Sequence, residues 1–572
     1  MKHFNFFRSG HNRLSPSQKA LVIFVWLIVA VMLPNLVLAF TEGYNGWSVA
    51  AGVVLPLGVY LLLLIFTRRV SVVTLVLLPI LTLCIVQIVL LYLYGNSIIA
   101  VDMFTNIMTT NSVESRELLG GLVPVVVAIA LLYLPLLYFA FRYMWDGRYL
   151  LSPSVRRGAV LVGSVLTIVG VQLLYPASRV ANDERIVRSE LFPVNVIHNF
   201  GIAVGNRIAV DNYRKTSAEF DHAARRTHSA PRREIYLLVV GESSRAANWD
   251  LYGYPRVTNP RLCKRDDILL FKNVVTQSNT THKSVPLMLS SVDASDYSEM
   301  FCRKGIAAMF RQAGFRTCFL SAQSPQGAMV DNFAAECDEI VYVGASPSHD
   351  LQLVQIMRQI VDSDSESDLF FILHCYGSHY RYNQRYSPDF AHFLPDADAV
   401  VNVGNVETLR NAYDNSILFT DLLLDSIVEY LASIDACSAM LYCSDHGEDL
   451  FDDTREMFLH ASPKVTYYQL HVPCLMWLSE EYRNLYPAKE AMACRHRWSS
   501  ASTSAIFHTM ADLASIDSPY VDSRKSLISA EFDECAPRYY LDDRNCTVRF
   551  DQRIGITDLD RREFLLHGIR LD

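Results

Sequence analysis

Charge is what this chain has least of. Only 19% of its 572 residues are Asp, Glu, Lys or Arg, while 51% are hydrophobic and the mean hydropathy is +0.17. That is too apolar for an ordinary soluble protein of this size. The shortage is concentrated at one end, since residues 1–176 hold 11 Lys/Arg and 5 Asp/Glu, a net charge of +6. The remainder holds 40 Lys/Arg and 54 Asp/Glu, a net charge of −14. The lack of a basic excess excludes a nucleic-acid-binding protein. The lack of long apolar runs after residue 176 excludes a polytopic transporter, because 396 residues remain, enough for one large domain with its own core. No C-x2-C pair occurs, which argues against a cysteine-ligated zinc cluster.

What is present begins with five apolar runs of membrane-crossing length, roughly 17–25 residues each. They cover Ala20–Phe40, Trp47–Phe66, Val70–Tyr94, Leu122–Phe141 and Gly158–Tyr175. The first follows Lys2, Arg8, Arg13 and Lys19, but it is longer than a signal-peptide core and no small-residue cleavage site follows, so a retained anchor is expected. Arg68 and Arg69 lie between spans two and three, and Arg142, Arg148, Arg156 and Arg157 between spans four and five. The other two loops carry Glu42, Asp102, Glu114, Glu117 and a single Arg116. The positive-inside rule then places the N-terminus in the cytoplasm and, after five crossings, the large domain outside. In a Gram-negative cell that is the periplasm, with the spans in the inner membrane.

Between spans three and four, residues 100–119 are polar yet helically spaced. Asn106, Thr110 and Glu114 fall at i, i+4 and i+8 and so share one face. By spacing alone this is the solvated face of an interfacial helix; the sharper reading is a polar comb for a lipid headgroup. Residues 177–233 have no long apolar run and read as a membrane-surface linker. This divides the chain into a transmembrane domain, 1–176, the linker, 177–233, and an outer domain, 234–572.

From Glu234 onward, short β-branched runs alternate with helical patterns. Ile235–Val240, Phe315–Ser321, Leu369–His374 and Ala439–Cys443 read as buried strands, and Val406–Leu431 as a helix. This alternation predicts an α/β/α sandwich with a mainly parallel sheet, whose ligands bind beyond the carboxyl ends of the strands. Those ends carry Gly241-Glu242-Ser243-Ser244-Arg245, Gly377-Ser378-His379 and Ser444-Asp445-His446-Gly447-Glu448. Carboxylate and imidazole ligands gathered there suit a divalent ion such as zinc. The stretch Thr276–Pro286 offers hydroxyls before an apolar run; by themselves they read as helix caps.

Taken together, G-E-S-S-R-A-A-N-W-D-L-Y-G-Y at 241–254, T-H-K-S-V-P at 281–286 and S-D-H-G-E at 444–448 resemble the phosphoethanolamine transferases of the alkaline-phosphatase/sulfatase superfamily. That group includes the lipid A-modifying enzymes of polymyxin and colistin resistance. The resemblance implies a zinc site of Glu242, Thr281, Asp445 and His446, with Thr281, five residues before Pro286, as nucleophile. It assigns His379 and His460 to the transferred phosphoryl group or to a second zinc that accompanies substrate. It assigns Asn106, Thr110 and Glu114 to the headgroup, which favours the comb. The implied reaction moves phosphoethanolamine from phosphatidylethanolamine through a phosphothreonine to a lipid A phosphate or lipopolysaccharide core sugar, releasing diacylglycerol, in a monomeric, membrane-embedded enzyme.

Two departures stand out. Where relatives bracket the nucleophile with a cysteine pair, this chain has Gln277 and Leu287; where many place a Lys within residues 321–333, it has Gln323 and Gln326. The rival reading is a phosphoglycerol transferase of the lipoteichoic-acid-synthase type. A sulfatase activity is disfavoured, because neither a C-x-P-x-R nor an S-x-P-x-R signature occurs within residues 234–572. Of twelve cysteines, Cys84 lies in a span, leaving an odd eleven outside. Cys375 and Cys443 read as packed thiols; Cys263, Cys302, Cys318, Cys337, Cys494, Cys535 and Cys546 are candidates for bridges.

Overall fold

The computed structural model describes residues 14–42, 44–94, 98–109, 123–181, 186–325, 327–344, 349–397, 399, 401–462, 465–550, 556–569 and 571. Among these, the chain forms two compact units, one within Met1–Ala100 and Leu118–Ile202, the other within Val101–Glu117 and Ala203–Asp572.

In the first unit, Pro16–Thr41, Gly46–Ile65, Val123–Arg142 and Pro153–Val180 are each long and apolar enough to cross a membrane. The span expected over Val70–Tyr94 is broken into Val70–Val76 and Leu78–Tyr92, bent by 62°. Pro79 lies in the first turn of the second piece, where it has no N–H to give back and its ring crowds the preceding turn, which favours a break there. Helix Val123–Arg142 buries Tyr133, Leu136 and Ala140 while leaving Leu131, Leu134 and Tyr138 exposed. Apolar residues on both faces need a lipid solvent on one of them. Two buried donors are satisfied internally: Asn35 Nδ2 donates to the carbonyls of Gly52 (2.9 Å) and Phe192 (3.0 Å), and the Tyr133 hydroxyl donates to that of Ala30 (3.1 Å). A Cβ on Gly58 would sit 2.6 Å from the Thr167 amide, so glycine lets two helices approach closely.

The expected linker is largely helical. Pro153–Ala181 continues past residue 177, and Val194–Thr216 forms a 23-residue helix. Its buried positions Val196, Asn199 and Ala203 follow i, i+3, i+7 spacing, a stripe hidden in the sequence by the charges interspersed with it. The compact units accordingly divide near residue 202, not at 176 and 233.

The second unit is built on seven strands: β1 (Glu234–Gly241), β2 (Ile268–Phe271), β3 (Arg316–Ser321), β4 (Glu339–Tyr342), β5 (Leu369–His374), β6 (Cys437–Ser444) and β7 (Cys474–Leu478). Their order across the sheet is β2-β7-β6-β1-β5-β3-β4. Strands β4, β3, β5, β1 and β6 run parallel, while β7 is antiparallel to both β6 and β2. Along β1, Tyr236, Leu238 and Val240 enter one core cluster and Ile235, Leu237 and Val239 the other. Strand alternation thus sends every second residue to a different core, and both faces are covered. Helix Val406–Ser433 closes one face with Tyr413, Ile417 and Leu424. The central strands β1 and β6 end side by side, Gly241 opposite Ser444, which fixes where the site forms.

Candidate active site

Glu242 and Asp445 are the first residues beyond these two strand ends, so the parallel pairing alone makes them neighbours; the Asp445 amide donates to the Gly241 carbonyl (3.0 Å). Thr281 opens the eight-residue helix Thr281–Met288. Its hydroxyl does not cap the helix. Oγ1 lies 3.2 and 3.3 Å from the Glu242 carboxylate oxygens and 3.1 Å from His446 Nε2. One ligand atom from each of Glu242, Asp445 and His446 fits within 4.8 Å of the others, all three buried, while Thr281 is only part-buried and remains reachable.

Each group is held by a second partner. Ser243 Oγ donates to Glu242 Oε1 (2.8 Å) and Gln323 Nε2 to Oε2 (3.0 Å). Asp445 Oδ1 accepts from the amides of Ser243 (3.1 Å) and His446 (2.7 Å), and Oδ2 accepts from Ser284 Oγ (3.1 Å). His446 Nδ1 lies 2.9 Å from the Gly447 carbonyl, which can only accept. The proton therefore sits on Nδ1, and the Nε2 lone pair faces Thr281. Gly447 is required by space, because a Cβ there would fall 2.0 Å from the Tyr468 carbonyl oxygen.

Burial, with Asp445 beside it, pushes the Glu242 carboxyl up to about 7, and burial pushes Asp445 up to about 7. Two crowded carboxyls that titrate near neutral pH are drawn fully into the charged form by a cation beside them. Two carboxylate groups, an imidazole lone pair and a hydroxyl are also a donor set that zinc accepts, so the residues present fit that ion.

A second row of imidazoles extends from this cluster. The His460 ring stands 4.2 Å from His446 and 6.2 Å from His379. Glu448, buried, pairs through Oε1 with His460 Nδ1 (3.0 Å), and the Tyr380 carbonyl accepts from His379 Nδ1 (3.0 Å). Burial pulls His379 down to about 4, helped by Arg385, and holds His460 well below the ordinary imidazole range, so both are neutral at pH 7. Asn106 falls within helix Val101–Thr109, whereas Thr110, Glu114 and Gln326 lie outside the described residues.

Sequence reasoning missed the roles of Ser284, Gln323 and Glu448. Ser284 was legible in principle, one turn after Thr281; Gln323 was noted only as a missing Lys. The loop without its cysteine pair is held otherwise: Gln277 Oε1 accepts the Ala294 amide (2.8 Å) and Leu287 is buried in the core. Of the bridge candidates, Cys263, Cys302, Cys318, Cys337, Cys494 and Cys535 are free thiols. Cys318 and Cys337 are buried, which explains two of the bridge candidates as core residues.

Residues 234–516 match the sulfatase family. The phosphoethanolamine transferase EptA of Salmonella typhimurium is 26% identical over 464 residues, 75% of this chain and 80% of that relative. The integral membrane lipooligosaccharide phosphoethanolamine transferase A of Neisseria meningitidis has the same fold, with a TM-score of 0.67 at 22% identity over 88% of this chain and 98% of that one. The zinc complex of the periplasmic domain of EptC from Escherichia coli matches with a TM-score of 0.52 at 23% identity, over 57% of this chain and 95% of that domain. Residues 234–516 thus match the sulfatase family, and the chain that carries them is similar to phosphoethanolamine transferases.

Proposed function

We propose that this chain transfers phosphoethanolamine from phosphatidylethanolamine to a lipid A phosphate or lipopolysaccharide core sugar of the same membrane leaflet. The observation that carries the reading is the Thr281 hydroxyl, at a helix start, in contact with both Glu242 and His446. The first turn of a helix presents free amides and the positive end of its dipole, which favour an arriving phosphodiester. In the first step Thr281 Oγ1 bonds to phosphorus, the bond to the glycerol oxygen breaks, and the threonine proton leaves with diacylglycerol. In the second, the acceptor oxygen takes phosphorus from Thr281 and its proton returns to the threonine.

Glu242, Asp445, His446 and Thr281 would hold zinc, which when bound supplies positive charge that lowers the threonine pKa and steadies phosphoryl oxygens. Ser243, Gln323 and Ser284 keep the carboxylates oriented. His379, neutral and with its proton on Nδ1 toward the Tyr380 carbonyl, offers the Nε2 lone pair to a moving proton or a metal ion, while His460, held through Nδ1 by Glu448, leaves Nε2 for the phosphoryl group or a proton. Asn106, Thr110 and Glu114 would hold the headgroup, and His379 and His460 would be available to a second zinc arriving with substrate. The enzyme acts as a monomer of the inner membrane, with its N-terminus in the cytoplasm and residues 234–572 in the periplasm.

Mass spectrometry of lipid A and core oligosaccharide from cells expressing wild type or Thr281→Ala tests this. Phosphoethanolamine on an envelope glycolipid, lost in Thr281→Ala, is expected. Its absence with well-expressed, zinc-loaded wild type would refute the reading, and glycerol phosphate in its place would change the donor.

A further inference from the structure

Thr281 is followed by His282 and Lys283, so the first turn of its helix carries an ammonium group where the helix dipole disfavours one. Lys283 is fully buried, 0% exposed. Its counter-charge comes from far along the chain. Lys283 Nζ donates to Asp102 Oδ2 (2.7 Å) and to the Asp542 carbonyl (2.8 Å), and His282 Nε2 lies 3.3 Å from Asp102 Oδ1. The Asp102 amide in turn donates to the Asp543 carbonyl (3.3 Å). Asp102 stands in the first turn of helix Val101–Thr109, the start of the segment expected to meet the lipid headgroup. A cavity opens beside the pair, lined among others by Thr105, Asn206, Arg207, His282, Tyr297 and Phe301. Burial alone would raise the Asp102 carboxyl, but Lys283 and His282 overcome it and hold the group below its usual range.

A buried ion pair is a weak source of stability, because desolvation offsets most of its attraction; what it provides is a single geometry. We propose that Asp102 is a positioning residue of the transfer reaction, fixing the register between the headgroup-facing helix and the turn that carries Thr281. This rests on the transferase reading above. The strand ends hold Glu242, Asp445 and His446 independently of Asp102, and Thr281 stays anchored on Glu242 and His446, so removal of Asp102 leaves the cluster in place and shifts the headgroup-facing helix, and with it a lipid-held phosphodiester, against Thr281.

The test compares the full-length, zinc-loaded enzyme with Asp102→Asn, Lys283→Met, the double variant and Asp102→Glu. Two donors are used, phosphatidylethanolamine in mixed micelles and the soluble p-nitrophenyl ester of phosphoethanolamine, which is held mainly through its phosphoryl group. For Asp102→Asn and the double variant, kcat on the lipid is expected to fall about 10- to 100-fold, with zinc content unchanged and soluble-ester turnover within about threefold of wild type. Asp102→Glu restores most of the loss. The double variant, with neither charge left unpaired, guards against failure to fold. Wild-type lipid kcat in folded Asp102→Asn, or equal losses on both donors, would overturn the assignment. Wild type that cleaves the soluble ester but never the lipid would remove the transferase reading itself, and this inference with it.

Discussion

Gln323→Leu isolates what orients the metal ligands. The Gln323 amide donates to Glu242 Oε2 (3.0 Å) and to the Cys375 carbonyl (2.9 Å), and the side chain is 5% exposed. Leucine fills a similar volume and removes both bonds. On the Glu242 side a charge-assisted bond is lost, leaving the Ser243 hydroxyl on Oε1 and the longer Thr281 contacts as the side-chain anchors, so the carboxylate is freer to turn. Loss of such an outer partner typically weakens metal binding about 10- to 100-fold, or about 1.4–2.7 kcal/mol. On the other side the Cys375 carbonyl is stripped of a buried donor, which costs the folded protein about 1–3 kcal/mol whether or not metal is present. Equilibrium competition against a zinc chelator reads the first effect, and thermal unfolding in excess chelator reads the second. The reasoning fails if folded Gln323→Leu binds zinc as tightly as wild type, since Glu242 would then be fixed by something other than this amide.

Gly447→Ala places a methyl 2.0 Å from the Tyr468 carbonyl and 2.8 Å from Arg245 Cβ, so the Asp445–His446 turn must move. We expect a loss of at least about 3 kcal/mol in stability together with zinc binding, read by unfolding and metal analysis of the purified protein. His222 is buried with Nε2 bonded to the carbonyls of Lys304 and Gly305 (3.1 Å each), and burial pulls it down to about 4. Between pH 6.5 and 4 the unfolded chain takes up a proton that the folded one refuses, so this stabilisation is present at neutral pH and lost as pH falls. At pH 5 the loss is about 2 kcal/mol, and the stability gap between wild type and His222→Gln should narrow by that amount from pH 7.5 to 5; parallel curves would contradict it.

The β-branched runs marked four central strands because residues buried on both faces are apolar without interruption, and β1, β3, β5 and β6 lie within a few residues of those runs. The outer strands β2, β4 and β7 escaped. Two of them are four residues long, and β4 is not fully buried, so neither length nor pattern separates them from loops. The bend at Pro79 is not legible from that residue alone, since Pro34, Pro56, Pro135 and Pro176 sit inside unbroken helices, and the helix Val194–Thr216 is hidden because its buried stripe includes Asn199.

Composition and spacing by themselves determined that an apolar third precedes an acidic α/β domain, and the family resemblance carried by three motifs gathered Glu242, Thr281, Asp445 and His446 into one set. Only the tertiary structure decided how they are oriented. Thr281 is 39 residues from Glu242 and 165 from His446, and contact between them depends on strand pairing and packing, which no local pattern encodes. The same holds for Gln323 on Glu242 and for Asp102 on Lys283, 181 residues apart. A sequence records which groups are available. Which lone pair faces which proton is set by burial, where unpaired polar atoms are costly and a single arrangement survives.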